Sequence, residues 1–263
     1  MANITPFPWF GSKYTQASWL ISLLPETERY VEPFGGSGVV MINRPPSDVE
    51  TFNDLNSNVT NFFEVLRDHR EEFEQILKYT PHSRELFAQA KQSNIKEDKV
   101  KRALYFLISV GQSFDSIESG DWARSIGTSR RGMAQRTASW NHRKKVVKTV
   151  ANRMSRVQIE NTNAIKLIKD HDHPDCTFYC DPPYDPGSRS RVGHYKYEFD
   201  NEQHKKLFDV LDSCEANVAV SGYDSSLYTN LYSDWYCHRE GEKGLAGKYK
   251  GAREEVLWTN YTV

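Results

Sequence analysis

The sequence predicts an α/β fold: strand and helix patterns at both ends of the chain, with a mainly helical block inserted between them. Three observations predict it. Arg29-Tyr30-Val31-Glu32 feeds the glycine-rich turn Pro33-Phe34-Gly35-Gly36-Ser37-Gly38 and then the apolar Val39 to Ile42, giving strand, turn and helix in succession. Thr177-Phe178-Tyr179-Cys180 reads as a buried strand, stopped abruptly by Asp181-Pro182-Pro183-Tyr184. Between the two the composition changes: from Trp122 to Ile159 there are ten Lys or Arg residues and no Asp or Glu, in a chain whose net charge is -1.

The 263 residues suffice for one large domain, or a large domain with a smaller insert. The overall charge argues against a uniformly basic nucleic-acid binder. There is no apolar run long enough to span a membrane and no charged-then-apolar N-terminus, so a soluble cytoplasmic protein without membrane contact is expected. The cysteines Cys176, Cys180, Cys214 and Cys237 contain no C-x-x-C pair, so buried free thiols are expected and no metal site.

Taken in order, Pro8-Trp9-Phe10-Gly11-Ser12-Lys13 leads into a helix with Ala17, Leu20, Ile21 and Leu24 on its apolar face, closed by Pro25. Alone, Trp9 and Lys13 read as packing and a solvated charge. The turn after the first strand is not G-x-G-x-x-G, which weakens a dinucleotide reading; its Phe-x-Gly-x-Gly pattern is shared by many proteins that bind S-adenosylmethionine. Asp54 ends the next strand, Thr51-Phe52-Asn53, at the place where a carboxylate accepts hydrogen bonds from a ribose diol. The following helix, with Val59, Phe62, Phe63 and Leu66, has Asn56 or Ser57 for its cap, which leaves Asp54 as a ligand.

Residues 71 to about 110 read as helical, with Leu104, Phe106, Leu107 and Ile108 making an apolar segment. The basic block then holds Arg124, Arg130, Arg131, Arg136, Arg143, Lys144, Lys145, Lys148, Arg153 and Arg156. One-signed charge among Ser, Thr, Gln, Asn and Trp140 suits a surface that tracks phosphates, whereas a solvated helix face mixes signs. A short strand is expected at Arg156 to Ile159, before the motif strand. Beyond it, Asp185 to Tyr195, with Arg189 and Arg191, reads as a mobile basic loop, either closing over nucleic acid or an ordinary surface loop. Asp200 and Gln203 form a capping box before Leu207, Phe208 and Leu211. Asn217 to Ser221 and Glu254 to Tyr261 read as the last strands.

Asp181-Pro182-Pro183-Tyr184 carries the chemistry. The exocyclic amine of a nucleobase is a poor nucleophile because its lone pair is delocalised into the ring, so an enzyme must hold both N–H groups out of conjugation. Asp181 accepts one hydrogen bond, and the carbonyl of Pro182 accepts the other, since proline lacks a donor but keeps its acceptor. The Tyr184 ring offers a face for an extruded base to stack on. An ordinary Asp-Pro turn is the bland reading of the same residues.

With these pieces in this order, the chain resembles the Dam-like D12 class (alpha group) of DNA adenine N6-methyltransferases, over roughly residues 6 to 66 and 156 to 261, phage-type members in particular. Trp9 and Lys13 match the family's N-terminal cofactor motif, Glu32-Pro33-Phe34-Gly35-Gly36-Ser37-Gly38 its glycine motif, Asp54 its acidic ribose ligand and Asp181-Pro182-Pro183-Tyr184 its catalytic motif. Arg253 to Tyr261 and Ser221-Gly222-Tyr223-Asp224 are similar to it too, the latter standing where the best-known members have Ser-Asn-His-Asp. Where members often carry an acid before the catalytic strand, Asn163 is the nearest candidate; an amide accepts without charge.

The resemblance implies a Rossmann-like S-adenosylmethionine-dependent methyltransferase sheet, mostly parallel with an antiparallel edge, from residues 1–66 and 152–263, and a target-recognition insert at 67–151. It implies methyl transfer to adenine N6 in a short sequence of double-stranded DNA. Expected cofactor ligands are Trp9, Lys13, Glu32, Pro33, Phe34, Gly36, Ser37, Gly38, Asp54, Asn163 and Asp181; catalytic residues are Asp181, Pro182, Pro183 and Tyr184. Expected DNA contacts are Arg124, Arg130, Arg131, Arg136, Lys144, Lys145, Arg189 and Arg191, on a monomer. The motif alone leaves open a cytosine N4, RNA or protein-amide acceptor, or a catalytically silent DNA-binding protein.

Overall fold

The computed structural model describes residues 3–92, 98–114, 118–184, 199–240 and 255–263. The N-terminal elements are α1 (Ala17–Leu23), β1 (Arg29–Glu32), α2 (Val39–Asn43), β2 (Val49–Asn53) and α3 (Ser57–Asp68). Three further helices follow, α4 (Arg70–Tyr79), α5 (Arg84–Gln92) and α6 (Lys99–Gly111), then the two-residue strands β3 (Ser129–Arg130) and β4 (Met133–Ala134) and the long α7 (Gln135–Met154). The rest is β5 (Gln158–Glu160), α8 (Ala164–His171), β6 (Cys176–Cys180), α9 (Asn201–Asp212), β7 (Asn217–Tyr223), α10 (Ser226–Leu231), β8 (Tyr236–Arg239) and β9 (Glu255–Thr259).

The seven-stranded sheet runs β5-β2-β1-β6-β7-β9-β8. β1 is parallel to both β2 and β6, and β6 to β7, while β9 is antiparallel to β7 and to β8. This is the expected mixed sheet with its antiparallel edge. The chain leaves β1 toward β2 on one side and reaches β6 on the other, so the strand order reverses at β1, where open sheets place their ligands.

Register gives the sheet two different faces, because paired residues share a face and successive residues alternate. Val31 pairs with Phe178, Phe178 with Val218, Cys180 with Val220 and Val220 with Trp258. All are buried in one apolar cluster with Leu167 and Ile168 of α8, Leu207 and Leu211 of α9 and Tyr228 of α10. Each large apolar side chain buried there contributes about 1.5–3 kcal/mol. The opposite face is polar and aromatic: Tyr30 and Glu32 on β1, Tyr179 on β6, Ser221 and Tyr223 on β7, Glu255 on β9.

The chain forms two compact units, one of Met1–Tyr14, Gly36–Ile42 and Asn56–Ile159, the other of Thr15–Gly35, Asn43–Leu55 and Glu160–Val263. The first is helical. Phe62 of α3 packs edge-on at 5.2 Å to Phe7 and 5.8 Å to Phe73, and the fully buried Trp140 of α7 donates its indole N–H to the Thr80 carbonyl at 2.9 Å. The turn between β3 and β4 places Arg131 (φ 55°) and Gly132 (φ 74°) in the left-handed region, as a two-residue type I′ hairpin requires.

Helix ends follow local chemistry. Leu24 is extended ahead of Pro25, so α1 stops before the last apolar position the spacing suggested. Asn56 caps α3 through a hydrogen bond from the Asn58 N–H, and the Asp200–Gln203 capping box opens α9. The helical stretch expected over 71–110 is three helices, α4 to α6. The cysteines correct one expectation: all four are free, but only Cys176 and Cys180 are buried, Cys214 is half-buried and Cys237 is exposed on the edge strand β8.

Candidate active site

Asp181 leaves the carboxyl end of β6, beside the end of β1. Continuing the β6–β7 register one step past Cys180 and Val220 brings Asp181 alongside Ser221. The Ser221 hydroxyl donates to Asp181 Oδ1 at 3.0 Å, the nearer of its two acceptors, the Cys180 carbonyl lying at 3.4 Å. A hydroxyl has one proton, so the 3.1 Å contact between Tyr179 OH and Ser221 Oγ runs from tyrosine to serine. The result is a directed chain, Tyr179 to Ser221 to Asp181, ending on a carboxylate, where hydrogen bonds are strongest.

Pro182 is buried and Pro183 half-buried; Tyr184 is 5% exposed. Its hydroxyl donates to Glu255 Oε1, and its ring lies edge-on to Tyr223 at 4.5 Å. Glu255 is itself only 6% exposed. Burial pushes the Tyr184 phenol well above its ordinary range, and the negative charges of Asp181 and Glu255 add to the effect, so it remains a donor. A base stacking on this ring has to displace what covers it.

At the neighbouring strand end, Glu32 is buried and accepts the Tyr30 hydroxyl at 2.8 Å. Asn53, 1% exposed at the end of β2, fixes the turn. Its amide donates to the Pro33 carbonyl at 2.8 Å and to the Thr162 carbonyl at 3.1 Å, and its backbone carbonyl accepts the Gly35 N–H at 2.8 Å. Gly35 has no room for a side chain, since a Cβ there would lie 2.1 Å from the Phe52 ring. Phe34 packs edge-on to Phe199 at 5.8 Å. Asp54 is half-buried; its backbone carbonyl accepts the Asn161 amide at 2.7 Å, and the neighbouring helix takes its cap from Asn56 instead. Asn163 caps α8, its Oδ1 accepting from the N–H groups of Ile165 and Lys166.

The first unit carries the remaining expected cofactor residues. Gly36 (φ 52°) and Gly38 (φ 64°) adopt left-handed conformations that glycine reaches without strain. Trp9 lies against Gly36, where a Cβ would sit 3.0 Å from the indole Cδ1. Ser12 and Ser37 meet hydroxyl to hydroxyl at 3.1 Å. Lys13 is not a solvated charge: it is 4% exposed, and its ammonium donates to the Gly11 carbonyl at 3.0 Å.

Of the expected DNA-contacting residues, Arg124, Arg130, Arg131 and Lys145 are exposed, and Arg136 and Lys144 are half-buried. The Arg136 guanidinium lies over the Phe114 ring at 5.6 Å, and Lys144 donates to the Lys78 carbonyl near the end of α4 at 3.2 Å. Arg143 is structural, bonding the Gly111 carbonyl at 3.1 Å, with its pKa lowered to about 10 by burial and by Arg136. Arg189 and Arg191, and the loop they belong to, lie outside the described residues.

Sequence reading missed Asn53, Tyr179, Ser221 and Glu255 as parts of the site. Ser221 stood within a quoted motif, but its partner is forty residues earlier and only strand register joins them. Among the described residues no group of His, Cys, Asp and Glu is arranged to hold a metal ion, and no helix is long and apolar enough to cross a membrane.

The chain matches the family model of the D12 class N6 adenine-specific DNA methyltransferases over residues 9–244. It is 26% identical to the type II methyltransferase M1.LlaDCHI of Lactococcus lactis subsp. cremoris, covering 98% of this chain and 96% of that protein. The DNA adenine methylase of Salmonella typhi is 23% identical over 87% of this chain and 82% of its own length. The DNA N-6-adenine-methyltransferase of Escherichia phage P1 is 34% identical over a shorter stretch, 23% of this chain and 8% of that protein. A match spanning nearly the whole chain, on a mostly parallel sheet with Asp-Pro-Pro-Tyr at the end of β6, makes this protein a member of the D12 class of N6 adenine-specific DNA methyltransferases, an enzyme that methylates adenine in DNA.

Proposed function

We propose that Asp181 and the carbonyl of Pro182 accept the two N–H bonds of the target adenine's N6 amine and turn its lone pair out of the ring, while Tyr184 stacks on the flipped base. Pro183 stiffens the backbone that presents them. The observation that carries this reading is the place of Asp181, at the carboxyl end of β6 beside the reversal of strand order at β1. No general base of perturbed pKa is needed, because the N6 proton becomes acidic once the nitrogen carries positive charge. Positioning supplies most of the rate.

The residues fit S-adenosylmethionine as methyl donor, which when bound supplies an electrophilic sulfonium methyl. Gly36 and Gly38 are glycines where left-handed backbone is required, which suits presentation of backbone N–H groups to a ligand, and the Trp9 ring packs where a Gly36 side chain would be. Asp54, relieved of helix capping by Asn56, takes the ribose diol. Trp9, Lys13, Ser37, Glu32, Pro33, Phe34 and Asn163 complete the proposed ligand set, with Asp181 shared between cofactor and base.

We assign residues 1–66 and 152–263 to catalysis and 67–151 to recognition of double-stranded DNA by a monomeric intracellular enzyme, with Arg124, Arg130, Arg131, Arg136, Lys144 and Lys145 toward the phosphates, joined by Arg189 and Arg191. The test is transfer of labelled methyl from S-adenosylmethionine to unmethylated genomic DNA, with the modified base identified and mapped. The wild type should place N6-methyladenine at one short motif, and Asp181→Ala should abolish transfer while cofactor binding stays measurable. An active Asp181→Ala enzyme would sink the assignment of Asp181.

A further inference from the structure

The polar face of the sheet holds both ends of the catalytic motif from beneath. Asp181 Oδ1 is bonded by Ser221, which is fully buried and held by the buried Tyr179. The Tyr184 hydroxyl is bonded by Glu255, whose strand partner is Tyr223, the same residue that lies edge-on to the Tyr184 ring. Two adjacent strands, β7 and β9, therefore each supply one buried polar group to one motif side chain. An isolated buried carboxylate or hydroxyl is costly, so these groups persist where a partner uses them.

We infer that Ser221 and Glu255 are positioning residues: Ser221 fixes the rotation of the Asp181 carboxylate, and Glu255 fixes the tilt of the Tyr184 ring, so that both meet the flipped base already oriented. The inference rests on Asp181 and Tyr184 having the roles proposed above. A carboxylate free to rotate still accepts a hydrogen bond, but misdirects the amine lone pair. The loss then falls on the chemical step and spares binding, because a small misplacement of a reacting group is felt chiefly in the transition state. The two supports are independent in their partners, so each has its own signature.

Steady-state and single-turnover methylation of a duplex carrying the mapped motif, together with thermal melting and titration of S-adenosylmethionine, tests both. Ser221→Ala should lower kcat by about ten- to a hundredfold, the worth of one charge-assisted hydrogen bond, with KM for DNA and cofactor affinity unchanged. Ser221→Thr, which keeps the hydroxyl, should recover part of the loss. Should Ser221→Ala fail to fold, Tyr179→Phe removes the donor to Ser221 while keeping the ring, and should lower kcat in the same direction.

Glu255→Leu, which removes the acceptor, should lower kcat in the wild-type background and add nothing in a Tyr184→Phe background, where the hydroxyl it holds is gone. Additive losses in that pair, a Ser221→Ala enzyme of wild-type kcat, or losses confined to KM or explained by unfolding would each overturn the inference. If Asp181→Ala retains activity the underlying assignment fails instead; if Asp181→Ala is dead and Ser221→Ala is normal, only the positioning role is lost.

Discussion

Gly222 shows what a position without a side chain does to packing. A Cβ added there would lie 2.3 Å from Tyr228 Cε2 and 3.3 Å from Trp258 Cζ3. Tyr228 has no easy retreat: it is 2% exposed, it packs edge-on to Trp258 at 5.2 Å, and its hydroxyl meets His204 Nδ1 at 3.1 Å. The Tyr228 ring therefore fills the space a side chain at 222 would occupy. Gly222→Ala should destabilise the protein by about 1–3 kcal/mol through overpacking, read as a lower denaturant midpoint with unchanged slope. A wild-type midpoint would mean that the Tyr228 ring repacks freely. The last motif residue, Asp224, is likewise held in packing, pairing with Arg239 at 2.8 Å and accepting from Thr229 at 3.0 Å.

At the scale of elements, helix α8 separates capping from ligand binding. Asn163 satisfies two N–H groups at its start, so Asn163→Ala should cost about 1 kcal/mol of stability, whereas Asn163→Asp keeps the cap and adds a charge the helix N-terminus favours. Equal stability of the alanine variant and the wild type by thermal melting would contradict the capping role. Titration with S-adenosylmethionine on the same two proteins then reports the ligand role separately, as weakened binding in Asn163→Ala beyond the change in stability.

Elements with strong local patterns were legible in the sequence: β1 with its glycine turn, β6 with its two prolines, and α9 with its capping box. Those without were not. β8 (Tyr-Cys-His-Arg) is a polar edge strand, exposed or half-buried at every position, so no apolar alternation marked it. α7 buries Trp140, Val147, Val150, Ala151 and Met154 at helical spacing, but small and polar residues separate Trp140 from the rest and basic residues crowd the stretch, so its composition was readable and its helicity was not. The catalytic motif was readable because its four residues are contiguous. Ser221 and Glu255, brought to it by register across β6, β7 and β9, were beyond any local pattern.

The whole molecule carries a net charge of -1, yet its ten basic residues from Arg124 to Arg156 occur without a single acid. At physiological ionic strength charges more than about 8 Å apart are largely screened, so DNA feels the local surface and not the total. Burial divides that surface. Arg143 is spent on the Gly111 carbonyl within the helical unit, while Arg124, Arg130, Arg131, Lys145, Lys148 and Arg156 are exposed. Binding of duplex DNA should therefore weaken steeply with salt, and Arg130→Ala should lower affinity on specific and random sequences alike and reduce the slope of log K against log salt by about 0.9 if it holds one phosphate. Arg143→Ala should act differently, lowering stability while leaving the slope near the wild-type value, because its guanidinium is committed to Gly111. Salt titrations of both variants by fluorescence anisotropy separate the two roles; an unchanged slope for Arg130, Arg131 and Lys145 variants together would remove this face from the DNA interface.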